Sequence, residues 1–265
     1  MADKPITILL TNDDGYQAPG IIALYKALSP LGKITVVAPE AERSASGHGL
    51  TIHQPLRLDS REHLPNVDIY SCNGTPTDCV TLALRFLLKE MPDILVSGIN
   101  AGGNLGDDIT YSGTVMAAMA GATQGVPSVG ISLLTEKKNA DYSFAAEFAA
   151  KFAKHLIGFD KPEEVFFSLN VPSIPREEIQ GAMVTVQGRS SYRQRIVERH
   201  DPWGRSYYWL MGLRTTGKIE PGSDFYALEQ KRISVTPLQI SMTNEKFIEP
   251  MKNWDIFGNI ENSIK

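Results

Sequence analysis

The chain has 265 residues and a formal net charge of −4, from 26 basic and 30 acidic side chains. A hydrophobic content of 42% is ordinary for a globular protein, and the length permits one large α/β domain, or one domain with an appendage. The charge balance gives no indication of binding to nucleic acid or to an anionic membrane, and no segment has the roughly 18 consecutive apolar residues of a membrane span.

The N-terminus enters its first predicted strand at once, without the apolar stretch and cleavage site of a secretion signal. We therefore expect a cytoplasmic protein. The two cysteines, Cys72 and Cys79, are predicted to be reduced thiols in the core rather than a disulfide or a zinc pair.

The first two-thirds of the chain alternates strand and helix patterns. Strands are predicted at residues 6–10, 34–38, 68–72, 93–97, 127–133 and 165–171, with an extended stretch at 50–58. Helices are predicted at residues 21–29, 80–89, 114–124 and 141–157. This alternation is typical of an α/β fold with a doubly wound, mostly parallel sheet.

One helix start is marked clearly in the sequence. Thr75 suits the N-cap, Pro76 suits the first helical position, and Asp78 can complete a capping box with Thr75.

The pattern changes after residue 172, where strands and loops replace the alternation. Short strands are predicted at residues 183–187, 206–212 and 233–237, and a short helix or arm at 244–265. We therefore divide the chain into a catalytic core, residues 1–175, and a β-rich extension with a C-terminal arm, residues 176–265. The aromatic residues of the extension, which either contact another subunit or pack on the chain's own core, are Trp203, Tyr207, Tyr208 and Trp209.

Asp13 and Asp14 are adjacent carboxylates at the exit of the first predicted strand. Two desolvated like charges repel, so one must be neutralised or both must share a cation. A hard divalent ion such as Mg²⁺ or Mn²⁺ meets that need and also supplies a Lewis acid. The alternative is a simple tight turn made by the sequence Asn-Asp-Asp-Gly.

Three further polar segments, at residues 42–47, 98–104 and 111–114, follow predicted strands or precede a helix. In a doubly wound sheet all four segments can meet at the carboxyl edge, where such folds bind ligands. Ser44 and Asn100 can each offer a neutral oxygen to a cation, although a solvated loop explains Ser44 equally well. The glycines around Asn100 match a dinucleotide fingerprint only weakly, because Ala101 occupies the first glycine position.

Ser112, Gly113 and Thr114 lie at a predicted helix N-terminus, where free amides and the helix dipole favour an anion. Plain helix capping is the alternative. A metal beside a phosphate site makes metal-assisted hydrolysis of a phosphate ester the natural reaction class.

Five segments together carry a resemblance to a known family. They are TNDDGYQAPGI (11–21), VVAPEAERSASGHGLT (36–51), NGTPTDCV (73–80), SGINAGGNLGDDITYSGTVMAA (97–118) and DFYALEQKRISVTPL (224–238). In this order they resemble the survival protein SurE family of metal-dependent 5′-nucleotidases, and the resemblance extends over nearly the whole chain.

The resemblance implies a Rossmann-like core and a phosphatase that hydrolyses nucleoside 5′-monophosphates, with a broad substrate range that can include short polyphosphate. It implies one divalent ion, Mg²⁺ or Mn²⁺, held by Asp13, Asp14, Ser44 and Asn100. It also implies a homodimer or homotetramer in which C-terminal segments are exchanged, and no nucleic-acid or membrane partner.

We expect Asp13 and Asp14 to be the catalytic carboxylates, with Asp14 positioning or deprotonating the attacking water. Asn104, with Ser112, Gly113 and Thr114, is expected to bind the phosphate. No histidine is clearly placed to protonate the leaving group, and His48 is the nearest in sequence. The alternatives are a covalent aspartyl-phosphate route, a nicotinamide-dependent oxidoreductase, and a nucleotide-binding regulatory module without catalysis.

Overall fold

The computed structural model describes residues 5–135, 137, 139–189, 191–215, 219–254 and 256, with the backbone alone at 191–195 and 211–215. The strands are β1 (Ile6–Thr11), β2 (Gly32–Pro39), β3 (Leu58–Leu64), β4 (Val67–Cys72), β5 (Ile94–Ala101), β6 (Ser128–Leu134), β7 (Val165–Pro172), β8 (Ala182–Val184), β9 (Ser191–His200), β10 (Ser206–Thr215) and β11 (Ile233–Gln239). The helices are α1 (Pro19–Leu28), α2 (Pro76–Leu82), α3 (Gly113–Ala122), α4 (Ser143–Leu156), α5 (Asp224–Glu229) and α6 (Ile248–Lys252).

Nine of these strands form one mixed sheet in the order β3-β4-β2-β1-β5-β6-β7-β11-β8. The neighbours from β4 to β7 all pair in parallel, whereas β3 and β11 are antiparallel to their inner neighbours. The predicted α/β class with a mostly parallel sheet is therefore confirmed. Its central strands end at one edge, from which the predicted functional segments emerge.

Helices cover both faces of the sheet, because side chains alternate between the faces along each strand. On β1, Ile8 and Leu10 belong to the apolar cluster beneath α1 and α4. Leu9 belongs instead to the cluster that includes α2 and α3. All three side chains are almost completely buried, which explains why β1 is apolar without interruption.

The predicted start of α2 is confirmed in detail. Thr75 is the N-cap, and its hydroxyl accepts a hydrogen bond from the Asp78 amide at 3.1 Å. The Asp78 carboxylate accepts in return from the Thr75 amide at 2.8 Å. The helix then continues into one π-helical turn, Ala83–Leu87. Cys72 and Cys79 are buried free thiols, as expected.

The prediction of an extended stretch at residues 50–58 was wrong in position. The strand there is β3, which begins at Leu58 and runs through a mostly exposed, charged sequence. It forms because its backbone pairs with β4. Backbone pairing does not require alternating apolar side chains, so the sequence carries no pattern that marks this strand.

The chain after residue 176 contributes to the main sheet and also departs from it. β11 pairs with β7 and β8, whereas β9 and β10 pair only with each other within the described part of the chain. This second pair, the hairpin Ser191–Thr215, exposes 78% of Trp203 and 61% of Trp209. Those rings therefore do not pack in the chain's own core. The boundary at residue 175 stays a prediction.

Near the C-terminus, α6 follows a short 3-10 helix, Glu245–Phe247, within the segment where a short helix was predicted. The rest of that segment, residue 255 and residues 257–265, lies outside the described residues. Across the described ranges, no helix combines the length and the apolar character that a membrane crossing requires.

Candidate metal and phosphate site

The turn after β1 is held by Asn12, which is completely buried. Its amide nitrogen donates to the Gly15 carbonyl oxygen at 2.8 Å, and its carbonyl oxygen accepts from the Gly15 amide at 3.2 Å. Gly15 has a φ of 100°, in the left-handed region that favours glycine. This turn fixes the two aspartates that lie within it.

Asp13 lies inside the protein, with 4% of its surface exposed. Its two carboxyl oxygens accept hydrogen bonds from Thr114, one from the hydroxyl at 2.6 Å and one from the amide at 3.1 Å. Burial raises the pKa of Asp13, and the bonds from Thr114 offset this increase only in part. The protein's own hydrogen bonds therefore do not fully offset the cost of burying an ionised Asp13 carboxylate.

Asp14 is half-buried and points to the exit of β5. One of its carboxyl oxygens accepts a hydrogen bond from the Ala101 amide at 3.2 Å. Burial, and next the negative charge of Asp13, raise the pKa of Asp14 to about 6. Two adjacent carboxyl groups that are costly to ionise together would be stabilised by a shared cation.

The loop after β2 brings Ser44 to the same edge. The Arg43 amide donates to the Asp13 carbonyl oxygen at 2.7 Å, so this loop is attached directly to the aspartate turn. The Ser44 hydroxyl donates to Glu42 at 2.6 Å, while the Arg43 guanidinium donates to the Asn73 carbonyl oxygen at 2.7 Å. Ala45 follows with a φ of 56°, a left-handed conformation that is uncommon outside glycine.

Asn100, near the end of β5, is the fourth predicted ligand. Its amide nitrogen donates to the Gly102 carbonyl oxygen at 2.8 Å. That bond fixes the orientation of the amide and leaves its oxygen as the atom that can ligate a cation. The next residue, Ala101, is the one that binds Asp14, so β5 and β1 are joined at this point.

The donor set suits a hard divalent ion. Within the described ranges, no group of three or more His, Cys, Asp or Glu residues could hold a metal by itself. Beside the Asp13 and Asp14 carboxylates, Ser44 and Asn100 can each offer a neutral oxygen to a cation at this edge. All-oxygen ligand sets are typical of Mg²⁺ and Mn²⁺.

The N-terminus of α3 lies directly against Asp13. Ser112 is the N-cap, and its hydroxyl accepts from the Val115 amide at 3.1 Å. Gly113 allows the close approach, since a Cβ there would lie 2.6 Å from the Ser46 hydroxyl and 2.9 Å from the Asp13 Cβ. Thr114 is fully buried and bonded to Asp13 through both its amide and its hydroxyl.

Asn104 is buried against β6 and β7. Its amide nitrogen donates to the Ser132 hydroxyl at 2.8 Å, and its backbone amide donates to Asn170 at 2.8 Å. Among the described residues, no hydrogen bond joins Asn104 to Asp13 or Asp14. The structure thus brings the aspartate turn and α3 into direct contact and attaches Asn104 to neighbouring strands instead.

His48 lies in the loop that approaches α3 from the other side. The Gly47 amide donates to the Tyr111 carbonyl oxygen at 3.0 Å, which brings this loop against the residue before Ser112. Burial lowers the pKa of His48, so its neutral form is favoured near neutral pH.

Comparison with known proteins decides the family. The family model for survival protein SurE matches residues 8–194, which is well over half of the chain. The chain belongs to the survival protein SurE family. It is 47% identical to the 5′-nucleotidase SurE of Geobacter sulfurreducens, over 95% of this chain and 94% of that protein. It is 48% identical to the 5′-nucleotidase SurE of Moorella thermoacetica, over 91% of this chain and 92% of that protein.

A SurE crystal structure shows the same fold. The SurE protein of Aquifex aeolicus superposes with a TM-score of 0.79 at 40% identity, covering 93% of this chain and 98% of that one. The family resemblance found in the sequence is therefore confirmed.

Reasoning from the sequence missed several residues that support this SurE site. Thr114 was predicted to face the phosphate, and nothing in the sequence indicated that it binds Asp13. Asp78 was predicted to cap α2, but it also accepts from the Thr51 amide at 3.0 Å and so anchors the end of the Ser44 loop. Among the described residues, the Ser46 hydroxyl is buried without a hydrogen-bond partner. The contacts of Thr114 and Asp78 each join distant segments, and a local pattern cannot reveal such a pairing.

Proposed function

We propose that this SurE-family chain hydrolyses nucleoside 5′-monophosphates to nucleoside and phosphate, with one divalent metal ion. The observation that carries the proposal is the adjacent pair Asp13 and Asp14, whose pKa values are raised where the α3 N-terminus meets the carboxyl edge of the sheet. The relatives from Geobacter sulfurreducens and Moorella thermoacetica, which carry the name 5′-nucleotidase, support the same activity.

Asp13, Asp14, Ser44 and Asn100 would hold the ion, which we propose to be Mg²⁺ or Mn²⁺. When bound, such an ion supplies a Lewis acid that polarises a phosphoryl oxygen. Asp13 serves as a fixed ligand, because Thr114 holds both of its oxygens. Asp14 is more accessible and is bonded through only one oxygen to Ala101, which suits it to position or deprotonate the attacking water.

We propose that Ser112, Gly113 and Thr114 form the phosphate site mainly through the dipole of the α3 N-terminus and the backbone at Gly113. Asp13 accepts from both the hydroxyl and the amide of Thr114, and the Ser112 hydroxyl accepts from the Val115 amide, so those donors serve the aspartate and the helix cap. Asn104 would have to release Ser132 to bind a phosphate oxygen with its amide nitrogen. Activity retained by Asn104→Ala would remove this residue from the substrate site.

A covalent aspartyl-phosphate route has less support. The signature typical of that route places one residue between its two aspartates, whereas Asp13 and Asp14 are adjacent. A non-catalytic nucleotide-binding module is the second candidate function, and it requires the same metal and phosphate contacts.

The experiment that tests the proposal is phosphate release from a panel of nucleoside 5′- and 3′-monophosphates and p-nitrophenyl phosphate, with Mn²⁺, Mg²⁺ or EDTA. We expect metal-dependent release that favours the 5′-monophosphates. Short polyphosphate belongs in the panel, because a broad substrate range is part of the proposal. Metal-dependent nucleotide binding without any release would favour the regulatory module.

We also propose a homodimer or homotetramer with exchange of C-terminal segments. An isolated two-stranded hairpin is only marginally stable, and the hairpin exposes large apolar side chains. The C-terminal segment likewise exposes 85% of Met242, 59% of Phe247 and 55% of Trp254. A second copy of the chain would cover both regions. Sedimentation of the full chain beside a chain ending at residue 241 tests the role of the C-terminal segment.

A cytoplasmic location belongs to the proposal as well. It is supported by the free thiols of Cys72 and Cys79, which fit a reducing compartment.

A further inference from the structure

Asp224 is a completely buried carboxyl group at the start of α5, far in sequence from the proposed metal ligands. Among the described residues, its carboxyl oxygens accept three backbone hydrogen bonds, from Gly106 at 2.7 Å, Gly188 at 3.0 Å and Phe225 at 2.8 Å. An acidic residue at a helix start often serves only its own helix. Here two of the three donors lie 118 and 36 residues away, so the carboxyl group joins separate segments.

The first of these segments leads into the phosphate site. Gly106 begins the short 3-10 helix Gly106–Thr110, which passes through Tyr111 to Ser112, the N-cap of α3. Gly106 has a φ of 53°, and its carbonyl oxygen accepts from the Gln187 amide nitrogen at 3.0 Å. Both polar groups of Gly106 are thus held by side chains of the β-rich extension.

The second segment is the base of the hairpin. Gly188 lies three residues before β9, and a Cβ at this position would lie 2.5 Å from the Asp224 carboxyl oxygen. The adjoining backbone is fixed too, because the Asp224 amide donates to the Val186 carbonyl oxygen at 3.0 Å. One buried carboxyl group therefore connects the hairpin base to the loop that ends at the α3 N-terminus.

We propose that Asp224 is a positioning residue for the phosphate site, acting through Gly106 on the loop that leads to α3. The proposal rests on the proposed function. The metal ligands are held by contacts beyond this loop, since Asp14 is bonded to Ala101, and Asp13 to Thr114, a fully buried residue within α3. A shift of residues 106–112 therefore reaches Ser112 at the phosphate site before it reaches these contacts. Loss of the Asp224 contact is therefore expected to weaken phosphate and substrate binding and to leave metal binding intact.

The test is Asp224→Asn, compared with the matched control Asp93→Asn. An asparagine offers one acceptor oxygen and places an NH₂ group where the second oxygen accepted, so one backbone amide faces a donor. Asp93 accepts from the Thr7 amide at 2.7 Å and the Thr7 hydroxyl at 2.9 Å, at the amino ends of β1 and β5. Both bonds are accepted by the same Asp93 oxygen, so this control makes the same chemical change at the edge of the sheet away from the site and keeps its hydrogen bonds.

For Asp224→Asn we expect KM for a nucleoside 5′-monophosphate and Ki for inorganic phosphate to rise about tenfold, by the loss of one buried hydrogen bond. Its Mn²⁺ affinity is expected to match the wild type. Asp93→Asn should leave KM and Ki unchanged, because its one carboxamide oxygen can accept both bonds from Thr7. Equal KM and Ki values in both variants and the wild type, or a loss of Mn²⁺ affinity as large as the rise in KM, would overturn the proposal.

Gln187→Ala provides the same readout if Asp224→Asn fails to fold, because it removes only the contact to the Gly106 carbonyl oxygen. Hydrogen exchange supplies a readout that does not need catalysis. If the wild type released no phosphate with any metal, the proposed function would fail, while faster exchange at residues 106–113 in the variant alone would still support the positioning role. Unchanged exchange there would overturn it.

Discussion

Asp13 and Asp14 are neighbours in sequence but have different surroundings, and this difference assigns their proposed roles. Asp13 is buried and bonded twice to Thr114, whereas Asp14 is more accessible and bonded once to Ala101. Each carboxylate raises the free-energy cost of ionising the other, because both groups are partly removed from water. Two ionised carboxylates at this site therefore destabilise the folded protein, and a bound divalent cation would offset that effect.

This instability predicts a pH-dependent effect of Asp14→Asn in the metal-free protein. The pKa of folded Asp14 is about 6, above its ordinary value of 3.8. The folded state then binds the proton more strongly, so its stability falls as pH rises from about 4 to about 6 and stays reduced above that range. Asparagine removes the penalty, so the variant should be more stable than the wild type at pH 8 by about 1 kcal/mol, a value discounted for solvent screening.

Thermal unfolding in EDTA at pH 8 and pH 4 measures this effect. The two proteins should differ at pH 8 and coincide at pH 4, where Asp14 is largely protonated in the folded state. The same difference at both pH values would show that the substitution acts through packing rather than through charge.

A second prediction at this scale concerns Thr114. Thr114→Val removes the hydroxyl that binds Asp13 at 2.6 Å and keeps the backbone amide bond. Loss of a group that orients a metal ligand lowers metal affinity by about 10–100-fold, so Mn²⁺ titration by calorimetry should show a decrease in that range. Thr114→Ser keeps the hydroxyl and should stay close to the wild type, and equal affinities in the two variants would argue against this role for the hydroxyl.

At the element scale, α3 links the phosphate site to the sheet. Its first residue, Gly113, leaves room for Asp13 and Ser46, while Gly121 near its other end packs against Ser128 and Leu95. The helix is buried along its whole length and rich in small residues, so it lies close to the strands. Added side-chain volume at either glycine must displace neighbours.

The two glycines give a matched pair of variants. A Cβ at Gly113 would lie 2.9 Å from the Asp13 Cβ, and a Cβ at Gly121 would lie 2.5 Å from the Ser128 hydroxyl. Both substitutions to alanine should destabilise the fold, by about 1–3 kcal/mol from overpacking. Only Gly113→Ala should also lower kcat/KM for a nucleoside 5′-monophosphate in the folded protein, which steady-state kinetics can measure. Equal kcat/KM values in the two variants would contradict the assignment.

Local sequence patterns anticipated some elements well and others not at all. The capping box of α2 is a contact between residues three positions apart, so the local sequence was sufficient to predict it. β3 and β9 each pair antiparallel with the next strand along the chain, but both have sequences rich in charged and polar residues without a regular apolar alternation, and neither was predicted as a strand. The four proposed ligands, Asp13, Asp14, Ser44 and Asn100, stay a prediction, whereas the bond from Thr114 to Asp13 spans 101 residues and leaves no local signal.

At the scale of the whole molecule, the hairpin stands apart from the main sheet and exposes 61% of Trp209 and 80% of Leu210. These adjacent residues of β10 point to opposite faces of the hairpin. Both faces are therefore apolar at this point. A surface of this kind is expected to be covered when copies of the chain assemble.

Replacing Trp209 and Leu210 by serine should weaken that assembly. We expect the double variant to have a smaller mass than the wild type by light scattering at micromolar concentration, because interface energy is concentrated in buried aromatic and apolar anchors. Ser206→Ala, a polar residue on the same strand, is the control and should keep the wild-type mass. A wild-type mass for the double variant would exclude this surface as the main contact.

The central claim is that one divalent ion at Asp13, Asp14, Ser44 and Asn100 is required to release phosphate from nucleoside 5′-monophosphates. The most direct measurement is Mn²⁺ stoichiometry and phosphate release on the same preparations of the wild type, Asp13→Asn and Asp14→Asn. We predict one ion per chain and release that EDTA abolishes in the wild type, with both lost or strongly reduced in the variants. Full release in EDTA, or a variant that binds no Mn²⁺ and still releases phosphate at the wild-type rate, would contradict the account.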